Sequence, residues 1–147
     1  HMPSRRQRQM CIRDRDKVMV GGPYGHFKLL DNVKNNPLLF IATGTGISPY
    51  RSFIESYENL DFQVIHGTSY LNEAYEKEVY GDRYFHCVSR EKKGDFNGRV
   101  TEYIKDISFS PNTNAFLCGN CDMIYDVFDL LQERGLPTGQ IHTEVYF

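Results

Sequence analysis

Apolar and polar residues alternate along the chain in short blocks, a pattern typical of strands separated by amphipathic helices. Five apolar runs have the length of buried strands and cover residues 38–42, 62–67, 84–88, 115–119 and 141–146. Amphipathic segments predict helices over residues 47–57, 72–79, 98–104 and 122–134. Strands and helices that alternate in this way form a parallel sheet through right-handed crossovers. We therefore predict a doubly wound α/β fold, with a five-stranded parallel sheet and helices on both faces.

The first predicted strand runs directly into Thr43-Gly44-Thr45-Gly46 and then reaches Pro49. Glycines lack a Cβ and let a phosphate approach the backbone, and proline in the first turn of a helix costs no hydrogen bond. The free N–H groups of such a helix end attract an anion. The pattern indicates phosphate binding, although Pro49 replaces the last glycine of the usual G-x-G-x-x-G fingerprint. A tight strand-to-helix turn without a ligand is the alternative.

Other polar or small residues follow other predicted strands. Ser89-Arg90 comes after the third strand, and Cys118-Gly119 ends the fourth. Parallel sheets bind ligands beyond the carboxyl ends of their strands, where the strand order reverses. We therefore expect these residues to lie with the glycine turn along one edge of the sheet.

Charge is unevenly distributed along the chain, although the formal net charge is only −2. Six of the 17 Lys and Arg residues fall within the first 17 positions, so the remainder is acidic. The basic segment lacks the interleaved aromatics of a nucleic-acid surface and the apolar face of a membrane helix, so we expect neither partner. We interpret residues 1–16 as a disordered or non-native arm, with a cloning remnant at His1-Met2, and residues 17–147 as one domain.

Membrane, disulfide and metal signals are weak. No apolar run approaches the ~20 residues of a membrane span. The four cysteines have irregular spacing, which predicts reduced thiols in the cytoplasm instead of a disulfide framework. No ligand spacing indicates a metal site, and we expect His66 and His86 to be strand residues with hydrogen-bonded rings.

Four motifs, in this order, resemble the nucleotide-binding half of ferredoxin–NADP reductases. They are ATGTGISPYRS at residues 42–52, VSRE at 88–91, CGN at 118–120 and EVYF at 144–147. The segment GPYG at 22–25 is similar to the end of that family's flavin barrel. The resemblance covers residues 18–147. It implies a ferredoxin reductase-like nucleotide-binding domain, NADP(H) and FAD as cofactors, and ferredoxin or flavodoxin as electron partner.

The family carries an FAD-binding barrel with an Arg-x-Tyr-Ser motif ahead of this domain, and this sequence contains neither. In the family, hydride passes between the nicotinamide C4 and the flavin N5. We expect the chain to bind NADP(H) and to be inactive until a flavin domain is supplied; a stand-alone nucleotide-binding module is the alternative. We also expect an exposed apolar patch at Tyr24, Tyr146 and Phe147, where a flavin domain docks or where two copies form a homodimer.

The resemblance also assigns nucleotide contacts. It implies that a pyrophosphate is held by Thr43, Gly44, Thr45 and Gly46. It further implies that Gly119 and Met123 flank the nicotinamide half.

The resemblance implies three residues near the reacting atoms. Cys118 corresponds to a cysteine beside the nicotinamide C4, where it acts by packing and weak polarisation. Glu144 corresponds to a carboxylate that helps proton exchange and charge balance near the flavin. Tyr146, or Phe147 in its place, corresponds to the aromatic side chain that stacks on the flavin ring.

Nucleotide choice depends on the 2′-phosphate that distinguishes NADP from NAD. The family's phosphate-binding pair corresponds to Ser89 and Arg90, with Arg99 as a later basic residue and Lys93 between them. Phe96 falls near a family tyrosine that stacks on the adenine, so stacking remains but a hydroxyl contact is lost. Ordinary solvated loop charges are the alternative interpretation of these basic residues.

Cys118-Gly119-Asn120-Cys121 suggests a second enzyme class. A Cys-x-x-Cys at a strand-to-helix junction is typical of thiol–disulfide oxidoreductases, because the helix end lowers a thiol pKa. The chain has no tryptophan and lacks the rest of the thioredoxin pattern. The dithiol oxidoreductase therefore stays the less favoured alternative.

Overall fold

Six parallel strands form one sheet in the computed structural model, which describes Arg15, Lys17, Met19, residues 21–22 and residues 25–146. The strands are β1 Leu38–Thr43, β2 Phe62–Thr68, β3 Tyr84–Val88, β4 Phe96–Asn97, β5 Asn114–Gly119 and β6 Ile141–Val145.

The strand order across the sheet is β4-β3-β2-β1-β5-β6, and every neighbouring pair is parallel. The chain therefore moves outward from β1 in one direction and then returns to lie beside β1 as β5. This reversal opens a crevice between the carboxyl ends of β1 and β5, the usual ligand position in open α/β sheets.

Four α-helices connect the strands. They are α1 Ser48–Ser56, α2 Lys77–Tyr80, α3 Val100–Tyr103 and α4 Cys121–Glu133. Short 3₁₀ turns lie at Gly44–Ile47, Leu71–Glu73, Gly81–Arg83 and Thr138–Gln140.

Both faces of the sheet are covered, because successive strand residues point to opposite sides. On the α1 side, the rings of Phe40 and Tyr50 stack with centroids 4.7 Å apart, and Phe116 packs edge-on against Phe40. Side chains from α3 and α4 pack on the other side, against Ile41 and its neighbours. The buried Tyr50 hydroxyl donates to the carbonyl oxygens of Ile41, at 2.8 Å, and Phe116, at 2.7 Å, which fixes α1 over β1 and β5.

The predicted α/β class and parallel sheet are confirmed, but the count of five strands is one too few. β4 has only two residues, too short to show any periodicity in the sequence. The five predicted strands agree with the observed ones to within one residue at each end.

The prediction of one helix over 72–79 is wrong. Glu76 has a left-handed backbone, with φ at 59°, and separates a 3₁₀ turn from the four-residue α2. The helix predicted over 98–104 is shorter, at Val100–Tyr103, whereas α1 and α4 lie where the sequence places them.

Several predictions concern residues that the structure does not describe. Apart from Arg15, the proposed arm at residues 1–16 is among them, as are Tyr24 and Phe147 of the proposed apolar patch. The division into arm and domain therefore stays a prediction. Among the described residues, no helix is long and apolar enough to cross a membrane.

Candidate nucleotide-binding site

The glycine turn leaves the end of β1 and winds into α1 without an intervening loop. Gly44 has φ at 54°, a left-handed conformation that favours glycine, and the 3₁₀ turn Gly44–Ile47 continues directly into α1. Pro49 occupies the first turn of that helix, as predicted. The first N–H groups of such a turn have no acceptor inside the helix, so they can bind a ligand oxygen.

Gly46 serves the packing of this turn. A Cβ at Gly46 would collide with the backbone of Cys118 and Gly119 at the end of β5. Gly119 in turn has φ at 136°, and a Cβ there would meet Thr43. The two glycines therefore let the loops after β1 and β5 touch through their backbones. The sequence reasoning assigned Gly46 to phosphate approach, and it missed this contact.

A hydrogen bond joins the same two loops. The backbone N–H of Asn120 donates to Thr43 Oγ1 at 2.9 Å. The side chain of Asn120 accepts from Met123 N–H at 3.2 Å and so caps the N-terminus of α4. Both loops are thus held at fixed positions on either side of the crevice.

His66, on β2, is fully buried beneath the glycine turn. Its Nε2 lies 2.8 Å from the Gly44 carbonyl oxygen, and its Nδ1 lies 2.7 Å from the Tyr84 hydroxyl. Burial lowers the pKa of His66 to about 4, so the ring is neutral near pH 7. The prediction that its ring nitrogens are hydrogen-bonded is confirmed.

His86, on β3, lies beside His66, with ring centroids 6.0 Å apart. Its Nε2 is 2.7 Å from Thr68 Oγ1, and the Thr68 hydroxyl donates to the Tyr70 carbonyl at 2.9 Å. Burial also lowers the pKa of His86. Within the described part of the chain, no three His, Cys, Asp or Glu side chains are grouped to hold a metal ion.

A cleft of about 550 Å³ opens along the carboxyl edge of the sheet, from the glycine turn to the end of β3. Six residues predicted from the sequence line it: Thr43, Gly44, Thr45, Ser89, Arg99 and Met123. The cleft therefore brings together residues assigned from separate motifs. Three were assigned to the pyrophosphate, Met123 to the nicotinamide half, and Ser89 and Arg99 to the 2′-phosphate.

Sequence reasoning missed a second group of lining residues. They lie at or after the end of β2, on α3, at the cap of α4 or on α4: Thr68, Ser69, Glu73, Tyr75, Thr101, Asn120, Asp122 and Asp126. Thr68 and Ser69 come at the end of a strand that was predicted correctly, so their position was an available signal. The spacing of Asp122 and Asp126, one helical turn apart on α4, was another.

A recess of about 390 Å³ adjoins the cleft and shares Ser69, Ser89 and Arg99 with it. Arg90 also lines this recess, and its guanidinium lies 5.9 Å from the centroid of the Tyr70 ring. The backbone N–H of Ser89 donates to the Thr68 carbonyl at 3.1 Å, which fixes the start of the loop.

Two residues assigned to the phosphate end of the nucleotide lie elsewhere. Lys93 is exposed and lines neither the cleft nor the recess. The Phe96 ring is half-buried against Tyr103, with centroids 5.4 Å apart. Tyr75, exposed by 46%, is the aromatic side chain that lines the cleft.

The Cys-x-x-Cys motif does not form a reactive pair. Cys118 is fully buried, and burial, with the nearby Glu144 carboxylate, raises the pKa of its thiol to about 12. Cys121 is the first residue of α4 and half-buried, and both thiols are free. A protonated, inaccessible Cys118 does not fit a thiolate nucleophile.

Glu144 and Tyr146 lie on the other side of the glycine turn. They line a groove of about 750 Å³ together with Pro49, Phe53 and residues around Phe27. Burial, together with the nearby Glu144 carboxylate, raises the pKa of Tyr146. Tyr146 is 38% exposed. The structure thus separates the residues assigned to the flavin side from those assigned to the nucleotide.

The sequence profile of the oxidoreductase NAD-binding domain matches residues 40–129. The chain belongs to that family. The matched segment begins in β1 and ends in α4, so it contains the glycine turn, the loop after β3 and Asn120.

Two curated relatives are ferredoxin reductases. The NAD-binding domain is 29% identical over 131 residues to the ferredoxin–NADP reductase of a Picosynechococcus species, which covers 71% of this chain and 33% of that protein. It is 32% identical over 154 residues to the flavodoxin/ferredoxin–NADP reductase of Buchnera aphidicola, which covers 84% of this chain and 62% of that one. The chain therefore spans between one third and slightly less than two thirds of the length of these relatives.

Solved structures agree with this assignment. A flavohemoglobin from Malassezia yamatoensis with bound FAD and heme is 25% identical, with a TM-score of 0.76 over 90% of this chain and 39% of that chain. A variant ferredoxin–NADP⁺ reductase from Plasmodium falciparum in complex with 2′P-AMP is 25% identical, with a TM-score of 0.58 over 84% of this chain and 58% of that chain. The chain is thus an oxidoreductase NAD-binding domain, similar to the nucleotide-binding part of ferredoxin–NADP reductases.

Proposed function

We propose that this domain binds NADP(H) in preference to NAD(H) and presents it for hydride transfer to a flavin. The recess beside the cleft carries the proposal. Arg90, Arg99 and Ser89 converge there, next to the cleft that takes the remainder of the nucleotide. Two arginine side chains suit a 2′-phosphate, because charge-assisted hydrogen bonds to phosphate are strong and geometrically selective.

Two acidic lining residues, Glu73 in the cleft and Glu102 in the recess, accept hydrogen bonds from backbone N–H groups, Glu102 from that of Arg99 at 2.8 Å. Glu73 lies on the 3₁₀ turn that follows β2, and an acidic residue after the second strand favours the free ribose hydroxyl of NAD in other dinucleotide-binding folds. Here its Oε2 accepts hydrogen bonds from Ser69 N–H at 2.9 Å and Tyr70 N–H at 3.0 Å. This carboxylate is engaged by its own loop, whereas Arg90 and Arg99 both line the recess.

The nicotinamide end would lie in the crevice between β1 and β5. Thr43, Gly44 and Thr45 would hold the pyrophosphate, and Met123 would contact the nicotinamide half. We assign Gly46 and Gly119 to the backbone contact that shapes this end. Cys118 would act by packing beneath the ring, because its thiol is buried and protonated.

The flavin would be held by an FAD-binding domain or a separate flavoprotein seated over the groove of Glu144 and Tyr146. A bound flavin accepts hydride and passes single electrons to an iron–sulfur protein or flavodoxin. Tyr146 offers an exposed aromatic face to such a partner, and Glu144 supplies a carboxylate beside it. The ferredoxin or flavodoxin partner and a homodimer through this groove both belong to the proposal.

A cytoplasmic location also remains part of the proposal. It is supported by the free state of Cys87, Cys118 and Cys121, the cysteines that the structure describes. Reduced thiols are the usual state in that compartment.

Calorimetric titration of the purified chain with NADP⁺, NAD⁺, 2′-AMP and 5′-AMP tests the nucleotide assignment. We expect NADP⁺ to bind at least about tenfold more tightly than NAD⁺, because each charge-assisted contact contributes about 1.5–3 kcal/mol. We also expect 2′-AMP to bind more tightly than 5′-AMP. Equal affinities for the two dinucleotides, or a preference for NAD⁺, would overturn the assignment of the recess.

A further inference from the structure

We infer that His66 is a positioning residue of the nucleotide site: its Nε2–H holds the Gly44 carbonyl and thereby turns the next peptide N–H towards the pyrophosphate. This inference rests on the proposed function, since it requires that the cleft takes a pyrophosphate nucleotide. Nothing in the sequence motifs of the turn itself identifies this residue, which lies 22 positions further along the chain, on the neighbouring strand.

The hydrogen-bond partners of His66 determine its tautomer. A backbone carbonyl oxygen can only accept, so the nitrogen 2.8 Å from the Gly44 oxygen must carry the proton. The other nitrogen of a neutral ring is an acceptor, and it lies 2.7 Å from the Tyr84 hydroxyl. The Tyr84 hydroxyl therefore donates to Nδ1 and fixes the proton on Nε2.

The geometry of the peptide unit gives this contact its functional meaning. In a trans peptide, the C=O and the following N–H point in opposite directions. Because the Gly44 carbonyl points inward to His66, the N–H of Thr45 points outward, and Thr45 lines the cleft. Gly44, at a φ of 54°, lies in a left-handed conformation at the start of the 3₁₀ turn, and the contact with His66 holds its carbonyl in this orientation.

Packing alone does not account for a histidine at this position. The neighbouring strand positions Val64 and Ile65 are fully buried apolar side chains, and His66 is buried to the same extent. A buried imidazole must recover its lost hydration through hydrogen bonds, whereas an apolar side chain of similar size would fill the space without them. Here the two hydrogen bonds fix one orientation of the ring, and one of them is made to the Gly44 carbonyl of the glycine turn.

Two substitutions at one position separate the hydrogen bond from the packing. His66→Leu fills the space without a donor, and His66→Gln keeps an N–H donor near the Nε2 position. His142→Leu is the matched control, because His142 is also on the sheet and stacks on Phe116, at 4.4 Å, but does not line the cleft. Each variant is titrated with NADP⁺, NAD⁺ and 2′-AMP, and its urea midpoint is measured.

We expect His66→Leu to weaken NADP⁺ and NAD⁺ by the same factor, on the order of tenfold, because both carry the pyrophosphate. Affinity for 2′-AMP, which has no pyrophosphate, stays within about twofold of wild type. His66→Gln restores most of the dinucleotide affinity, and His142→Leu leaves it unchanged. If His66→Leu retains wild-type dinucleotide affinity, or weakens 2′-AMP equally, the inference is wrong although the proposed function stands. If wild-type protein binds no dinucleotide, the proposed function itself fails.

A measurement on the unmodified protein covers the case in which His66→Leu does not fold. Nitrogen-15 NMR of the histidine rings distinguishes the two neutral tautomers. We expect the Nε2–H tautomer for His66, with a change in its signals when NADP⁺ binds and a smaller change with 2′-AMP. An Nδ1–H tautomer, or signals that do not respond to NADP⁺, would overturn the inference.

Discussion

The hydroxyl oxygen of Thr43 accepts a hydrogen bond of 2.9 Å from the backbone N–H of Asn120. Thr43 ends β1 and Asn120 caps α4, so this bond joins the two loops that border the crevice where the strand order reverses. Gly46 and Gly119 permit the same approach through backbone contacts. The nucleotide-binding loops therefore form one unit before any ligand arrives, which reduces the ordering cost of binding.

Substitution of Gly46 by alanine should destabilise the protein by about 3 kcal/mol, because the new methyl group meets backbone atoms that cannot rotate away. Gly139→Ala is the control: nothing lies within 4 Å of a Cβ there, and we expect a change within about 0.5 kcal/mol. Urea unfolding followed by circular dichroism measures both. A Gly46→Ala variant as stable as wild type would show that the two loops can separate freely.

Arg90→Ala and Arg99→Ala should each weaken NADP⁺ about tenfold or more and leave NAD⁺ nearly unchanged, since only NADP⁺ carries the 2′-phosphate. The wild-type preference should also decrease as salt rises. Lys93→Ala removes a nearby positive charge that does not line the recess, and we expect it to have little effect. Equal losses for both dinucleotides would show that the arginines act on a shared part of the ligand.

The stability contributed by a neutral His66 should be lost in mild acid. Its pKa falls from 6.5 in the unfolded chain to about 4 in the native protein, so the unfolded state binds the proton first. This contribution is complete above about pH 6.5, decreases as the pH falls towards 4, and amounts to about 3 kcal/mol. Between about pH 7 and pH 4.5, the free energy of unfolding of the wild-type protein should therefore fall by up to this amount relative to that of His66→Gln. A pH-independent difference, from urea unfolding at several pH values, would contradict the buried neutral ring.

Native alkylation should modify Cys121 well before Cys118 or Cys87. Cys121 is half-buried, whereas burial raises the pKa of the other two thiols to about 12. Mass spectrometry after short treatment with iodoacetamide gives the order, and a denatured sample in which all three react equally is the control. Rapid modification of Cys118 in the native protein would revive the dithiol alternative.

The 147-residue chain should reduce a dye acceptor from NADPH only when a flavoprotein is added. Hydride transfer to a dye needs an intermediate flavin in the proposed reaction, and the described residues place Glu144 and Tyr146 on an open groove. Absorbance spectra establish whether the purified protein carries flavin. Robust dye reduction by flavin-free protein would show that another group accepts the hydride.

Much of the fold follows from local pattern. The five longer strands were predictable because parallel strands are continuous apolar runs, and α4 because its apolar face repeats at helical spacing. β4 was not predictable, since a strand of two residues is too short to show an alternation of apolar and polar side chains. The segment 72–79 has the apolar spacing of a helix, but the left-handed backbone of Glu76 interrupts it. Glu76 also forms a 2.9 Å ion pair with Arg51 on α1, a contact between distant segments that a local pattern does not reveal.

The candidate site was predictable where a motif lies at the end of one strand, as for Thr43, Ser89 and Arg90. It was not predictable where function depends on contacts between distant segments. Gly46 packs on β5, and His66 reaches the glycine turn from β2, because the sheet brings these strands together. The spacing of residues along the sequence does not reveal such contacts between distant strands.

Because all strands are parallel, the loops at their carboxyl ends and the loops at their amino ends should differ in how well they tolerate insertions. Every loop that lines the cleft follows the carboxyl end of a strand or belongs to the helix after it. The opposite end carries turns such as the exposed one at Asn59, between α1 and β2, which does not line the cleft. We therefore expect a fluorescent reporter or a short inserted peptide at that turn to leave the shape of the cleft unchanged, which makes the turn an attachment point for labelling the domain.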